Sequence, residues 1–389
     1  MLICEKDTDL LNGASSGNTG HLATNFYYRR DRALLEAEMT AKARMINPEW
    51  LAGQPAVPRV KTGMIYIAKG REDEKQMEEM IHNSALNKVS GVRRLKLSEL
   101  SRMEPLLDTS GVTAALYSED EWIVDSWLLS MTHVYGALQA GVTIMTGCKV
   151  WQATKEINGN WSVVTDLGTF IAKCVINCAG NFGDDVQRLS QEIVNFRVTP
   201  GKGEYLVFED LSLNGIVHGT VVPFPSKQTA GVYVFRSVWG HVVVGPTNIK
   251  TEDKHDRSIS AESFNNLYDH VTSLYPDIRN CQLLGGYSGL RPATQHQDYV
   301  IDIDAGHGWV TVAGIRSTGL TCSLAISQYI AMALIPNYTP NIIPKMPAPV
   351  TNNDGTVKIG NKCYNPTHPL TKLGLLGKTL PEQFFKSKF

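Results

Sequence analysis

Hydrophobic positions along the chain fall into two rhythms, a strand-like alternation and a helical spacing. The run LICE at the start ends on Glu5 and reads as a short strand. A polar turn and the Gly/Ser loop GASSGNTG follow, then a helix over about residues 31–45. TGMIYIAKG from Thr62 alternates as a half-buried strand, and REDEKQMEEMIHNSALNK has the spacing of a charged amphipathic helix. A helix near 126–140 precedes the strand patterns GVTIMTGCKVWQATKE, NWSVVTD and FIAKCVINCAG. In the last of these, CVINCAG is a continuous apolar strand running straight into a glycine turn and helix. Between Arg197 and Gln282, runs such as GEYLVF, VYVFRSV and HVVVG between turn residues predict an antiparallel sheet. WVTVAG is then a buried strand, and GIRSTGLTCSLAISQYIAMAL a Gly/Ser/Thr turn feeding a helix. The tail from Asn337, rich in Pro and Asn, predicts a surface wrap or partly disordered extension.

Composition narrows the classes. The 389 residues allow about two domains on a scale of ~150 residues each, and 43% hydrophobic content supplies substantial cores. Lys plus Arg (37) nearly balances Asp plus Glu (38), so no broad field favours nucleic acid or an anionic membrane. Any charged ligand must be held locally. Seven cysteines without a C-x-x-C pair suggest neither zinc nor a disulfide framework, and no metal site is expected. No apolar run reaches the roughly 18 residues needed to span a bilayer, and the N-terminus lacks a secretory pattern. The expectation is an intracellular protein, cytoplasmic or mitochondrial, whose targeting segment, if it has one, is missing from this sequence.

The chemistry concentrates near the end of the chain. Arg291, held beside Pro292, offers a fixed guanidinium fork for a carboxylate or phosphate. The helix that opens after GIRSTG presents unpaired N–H groups to an electron-rich ligand. The whole stretch GLRPATQHQDYVIDIDAGHGWVTVAGIRSTGLTCSLAI resembles the C-terminal flavin-binding signature of the FAD-dependent oxidoreductases related to D-amino-acid oxidase. The likeness is greatest to the glycerol-3-phosphate dehydrogenase and L-2-hydroxyglutarate oxidase branch, and it covers roughly residues 1–335.

That resemblance implies an α/β fold, α+β overall. An FAD-binding Rossmann-like domain (1–60, 125–195 and 285–336), incomplete at the N-terminus, would be interleaved with an antiparallel substrate domain (61–124 and 196–284), followed by a tail (337–389). For the cofactor, it implies that Glu5 accepts from the adenosine ribose and that Ser16 and Gly17 run beside the flavin. The Val150 backbone meets adenine, and Ala179, Gly180 and Gly183 lie along the dinucleotide. Gly314, Ser317, Gly319, Leu320 and Thr321 turn against the flavin ring. For the substrate, it implies Arg291 as anion clamp, His21 as base, Tyr205 on the roof and Arg236 as a second anion contact.

Two departures matter. Trp122 stands where relatives usually carry glycine, and Ser317-Thr318-Gly319 replaces Ser-Pro-Gly, which loosens a pre-organised φ and frees an N–H. More seriously, the strand and GxGxxG loop that cradle the pyrophosphate occur nowhere in the sequence. Their absence implies that Met1 begins about one strand and one helix late, and that the flanking strands stand roughly 10 Å apart, beyond ladder bonding. Weakened FAD binding is expected. The expected function is FAD-dependent oxidation of a small anionic substrate, a 2-hydroxy acid or glycerol 3-phosphate, with an unidentified electron acceptor. The alternative is a flavin-deficient, non-catalytic binding or regulatory module.

Overall fold

The structure is a computed structural model, which describes residues 1–190, 193–210, 215–224, 231–340 and 343–377. In chain order its helices are α1 (Leu34–Ala52), α2 (Arg71–Leu86), α3 (Leu97–Met103), α4 (Ser126–Gln139), α5 (Gly183–Leu189), α6 (Ala261–Leu274), α7 (Gly319–Leu334) and α8 (Pro369–Leu376). α1 runs past the expected end near 45, straight through Pro48. Burial of Ala43 and Leu51 on either side, and an Asn47 amide donating to the Thr321 carbonyl at 2.9 Å, offset the lost backbone bond.

A nine-stranded sheet organises the centre of the chain. Its order runs Ile249–Lys250, Gly201–Glu209, Val242–Gly245, Tyr233–Arg236, Thr220–Pro223, Met64–Ala68, Ala114–Ser118 and Val92–Leu95, with Gln282–Arg291 paired along Gly201–Glu209. Every pairing is antiparallel except that of Thr220–Pro223 with Met64–Ala68. The strand expected to be half-buried, Met64–Ala68, is buried at all five positions. Alternation sends Ile65 and Ile67 into a cluster with Leu206, Val234 and Val271 of α6, while Met64, Tyr66 and Ala68 meet Phe26 and Met77 of α2. Helices cover both faces there, so an apolar residue is favoured at every position. The Gln282–Arg291 strand belongs to this sheet as a whole, so the chain's return at 285 falls inside it rather than before it.

The remaining parallel pairs lie in two pieces. Leu2–Cys4 pairs with Thr143–Met145, and Val175–Asn177 pairs with Trp309–Ala313, itself antiparallel to Val300–Asp304. Among the described residues no strand joins the pieces. Their carboxyl ends come together, with Lys6 Nζ 4.5 Å from the centroid of the Phe182 ring. The strand expected to be a continuous buried run is three residues long, with Ile176 41% exposed and Cys178 exposed. Behind the three-stranded piece, α1 and α7 pack through Met39, Ala43, Cys322, Ala325 and Ile326.

The tail, expected to be a surface wrap or a partly disordered extension, wraps over the body where it is described. Its hairpin Val357–Ile359/Lys362–Tyr364 packs on α4 through Val357, Ile359, Trp127 and Met131, and α8 closes over the large sheet. Residues 341–342 and 378–389 of that segment lie outside the described residues.

Candidate active site

The site lies where the Gly/Ser loop crosses the large sheet. Gly17 rests directly on Gly289, so close that a Cβ on Gly289 would stand 1.9 Å from the Gly17 carbonyl oxygen. Only glycine permits that approach. Next to it Ser16 Oγ donates to the Gly13 carbonyl at 2.9 Å and accepts from Arg257 at 2.6 Å. Asn18 then turns the chain, its Oδ1 accepting from Gly20 N–H at 2.9 Å. Gly20, at φ +73°, lets its carbonyl accept from Val124 N–H at 2.9 Å and starts the two-residue strand His21–Leu22.

His21 is thereby delivered onto the sheet face. Its ring meets Phe235 and Tyr233 edge-on, at centroid distances of 4.9 and 5.6 Å. Nε2 lies 2.9 Å from Thr220 Oγ1, while Nδ1 is buried with no partner. Burial pushes the imidazole pKa down to about 3, so the ring is neutral at pH 7 and has a lone pair to offer.

Tyr205 stacks on Tyr287, with ring centroids 4.4 Å apart, and its hydroxyl is hydrogen-bonded to Arg291. The half-buried guanidinium of Arg291 lies across Gly203, where a Cβ would come within 2.8 Å of Nη2. Its Nη1 donates to the Gly201 and Thr247 carbonyls at 3.4 and 3.3 Å, and among the described residues no carboxylate pairs with it. Tyr233 feels the charge of Arg291 and hydrogen-bonds Tyr27, which in turn bonds Tyr66. A buried carboxylate, Glu121, backs this phenol cluster, accepting from Thr24 N–H at 2.9 Å and Ser118 Oγ at 2.8 Å. Burial raises its pKa.

Arg291, His21 and Tyr205 therefore converge, and Arg236 does not. On the strand Tyr233–Arg236 the side chains alternate, so Tyr233 and Phe235 face His21 while Arg236 shares the opposite face with Val234. There the guanidinium lies against Gly215 and Asp210, which removes it as a second anion contact. Tyr27, Tyr66, Tyr233 and Glu121 were not anticipated. The period-two phase of VYVF, set against His21, is the signal that would have found Tyr233.

The expected cofactor residues border the same place. Thr321 Oγ1 accepts from Ala23 N–H at 3.2 Å, which seats the first turn of α7 beside the His21 strand. Gly314 takes φ +70°, Leu320 packs with the α4 cluster, and Ser317 Oγ lies 3.5 Å from the Tyr28 hydroxyl. α7 begins at Gly319, so its leading N–H groups are aimed ahead of the helix. Thr318, in place of the proline of relatives, ties the turn through its side chain. Its hydroxyl donates to the buried Glu36 carboxylate at 2.7 Å and is also bonded to Tyr299.

Farther along, Gly180 turns at φ +56° with open space around it, between Ala179 and Gly183 at the start of α5. Asn181 donates to the Leu290 carbonyl at 2.9 Å, and its Oδ1 is buried without a partner. Val150 packs with Trp161 and Val175. Glu5 Oε1 accepts from Asp7 N–H at 2.9 Å, and burial raises its pKa.

A flavin ring fits this setting. Two glycines remove side-chain bulk at Gly17 and Gly289, a helix N-terminus supplies donors, and His21 Nδ1 and Asn181 Oδ1 are unpartnered. Toward the pyrophosphate end, the parallel strands Leu2–Cys4 and Val175–Asn177 lie in separate sheets among the described residues.

Comparison with known proteins identifies the family. The family described as DAO, FAD dependent oxidoreductase, matches residues 1–333. Glycerol 3-phosphate dehydrogenase of Caloramator mitchellensis is 24% identical over 332 residues, spanning 85% of this chain and 68% of that protein. L-2-hydroxyglutarate dehydrogenase of Arabidopsis thaliana is 26% identical over 384 residues, spanning 85% and 77%. In fold, the chain is similar to L-alpha-glycerophosphate oxidase of Mycoplasma pneumoniae with FAD bound, at a TM-score of 0.79 and 24% identity over 88% of this chain and 91% of that one. The match over most of its length, and a site whose glycines, helix N-terminus and neutral histidine suit a flavin ring, make this chain a member of the FAD-dependent oxidoreductase family.

Proposed function

We propose that the chain oxidises a secondary hydroxyl of a small anionic substrate, a 2-hydroxy acid or glycerol 3-phosphate. The observation that carries this reading is that, among the described residues, an arginine with no carboxylate partner and a neutral histidine with an unpartnered Nδ1 share one face of one sheet. Arg291 takes the carboxylate or phosphate through its fork, and Tyr205 holds that fork in place. His21 accepts the hydroxyl proton at Nδ1 while Thr220 fixes the ring through Nε2. When bound, flavin would supply the two-electron acceptor that the oxidation of this carbon requires. The hydroxyl thus becomes a carbonyl, with one proton left on His21.

A pKa of about 3 makes His21 a weak base when no anion lies beside it. An anionic substrate favours the protonated ring, so the base strengthens as the substrate arrives. The relatives carry enzyme names and lend the non-catalytic alternative no support.

Bleaching of the flavin's visible band tests the reading. FAD-reconstituted protein, mixed without oxygen with glycerol 3-phosphate and a panel of 2-hydroxy acids, should bleach with at least one. Arg291→Ala should slow that bleaching roughly a hundred-fold, the loss of about 3 kcal/mol from a charge-assisted contact. Bleaching by dithionite but by no anionic substrate would overturn the reading.

A further inference from the structure

Beyond residue 333, where the family match ends, the chain turns back over the site. Asn365 Nδ2 donates to Asp9 Oδ1 at 2.7 Å and Thr367 Oγ1 to the Leu11 carbonyl at 3.0 Å, so this segment grips the start of the Gly/Ser loop. His368 follows at the N-cap of α8. Its Nδ1 accepts from Leu370 N–H at 3.2 Å, which leaves the proton on Nε2, and Nε2 donates to the Asn18 carbonyl at 3.0 Å. Tyr287 donates to the same carbonyl at 3.0 Å. Two buried donors thus hold one loop oxygen, two residues before Gly20 and three before His21.

The rest of α8 is seated with equal care. Thr371 Oγ1 is 2.8 Å from Asp125 Oδ2, which also accepts from Trp239 Nε1 at 2.8 Å. Gly374 lies so near the Trp239 ring that a Cβ would be 1.9 Å from it. Leu370 and Leu373 pack against Tyr205, Phe235 and Tyr287, the walls of the site. The helix therefore reaches the sheet and the loop at once.

We propose that α8 is a positioning element of this site, with His368 fixing the loop that delivers Gly17 and His21 by way of the Asn18 carbonyl. The role of His21 rests on the functional reading above, but the positioning does not. Removing the His368 donor leaves the Asn18 carbonyl on Tyr287 alone, and the loop gains freedom at the point where His21 leaves it.

Two measurements on the full chain, neither requiring turnover, test this. Hydrogen–deuterium exchange follows the amides of Ser16, Gly17, Gly20 and His21, and 15N-histidine NMR follows the His21 ring. In His368→Leu these amides should exchange at least ten-fold faster, and the separate Nδ1 and Nε2 resonances of His21 should converge as its tautomers interchange. His368→Gln, which keeps a donor, should restore both signals, and the strand Trp161–Thr165 should be unaffected throughout. If His368→Leu does not fold, Thr371→Val releases α8 from Asp125 with His368 intact. Fast exchange in α8 with an unchanged loop and His21 ring would overturn the proposal in either variant. An altered loop together with a catalytically silent His21→Gln would instead refute the base assignment and leave the positioning standing.

Discussion

His21 and His368 are buried in neutral form, and burial drives their pKa values from 6.5 down to about 3 and about 4. An unfolded histidine takes up a proton near 6.5 while the folded one does not, so their contribution is complete above that pH and falls as acid is added. At pH 5 each removes about 2 kcal/mol of stability. Buried Glu121 and Asp125 work the other way, since burial raises their pKa values and protonation favours the fold. Urea unfolding of wild type and His21→Gln at pH 7 and pH 5 separates the terms. The loss between the two pH values should be about 2 kcal/mol smaller in the variant, and equal losses would show that His21 does not titrate on unfolding. At this scale Arg291 and His21 can be singled out as candidates from the sequence, because a proline neighbour and a glycine loop mark them locally. Arg236 was misassigned because only the phase of a strand against its neighbours tells which face a side chain takes. The partner of Thr318, Glu36, is 282 residues away and had no local signal.

Between the Gly/Ser loop and the strand Gln282–Arg291, two backbones touch without side chains between them. Gly289→Ala would drive a Cβ into the Gly17 carbonyl, with rigid backbone on both sides. A loss of about 3 kcal/mol is expected, read as a fall in Tm together with loss of retained flavin. Gly13→Ala, in open space on the same loop, should change stability by no more than about 0.5 kcal/mol. Equal effects would mean that the loop shifts freely. Element type was largely readable from period, as the amphipathic α2 shows. Element extent was not. α1 continues through Pro48 because tertiary burial outweighs a local break, and Met64–Ala68 is covered twice because α2, next in sequence, folds back on it.

Across the whole molecule, the parallel strands at the two ends of the division were readable as apolar runs, whereas the docking of residues 343–377 had no local signal. The contacts of that segment, such as Asn365 with Asp9, join positions 356 apart. The divided sheet also has a colloidal consequence. Leu2–Cys4 and Val175–Asn177 each end a sheet, so each presents a row of unsatisfied backbone groups, and apolar Ile3 and Ile176 beside them are 38% and 41% exposed. Such borders invite an extended strand from any neighbouring molecule, and charged residues there are a common natural defence. Sedimentation velocity should show self-association that grows with concentration and recedes in Ile176→Lys. A wild-type chain that stays monomeric at high concentration would show the borders to be closed in solution. If they are open, a second copy can add a strand at either border, and the share of protein in assemblies rises with its concentration.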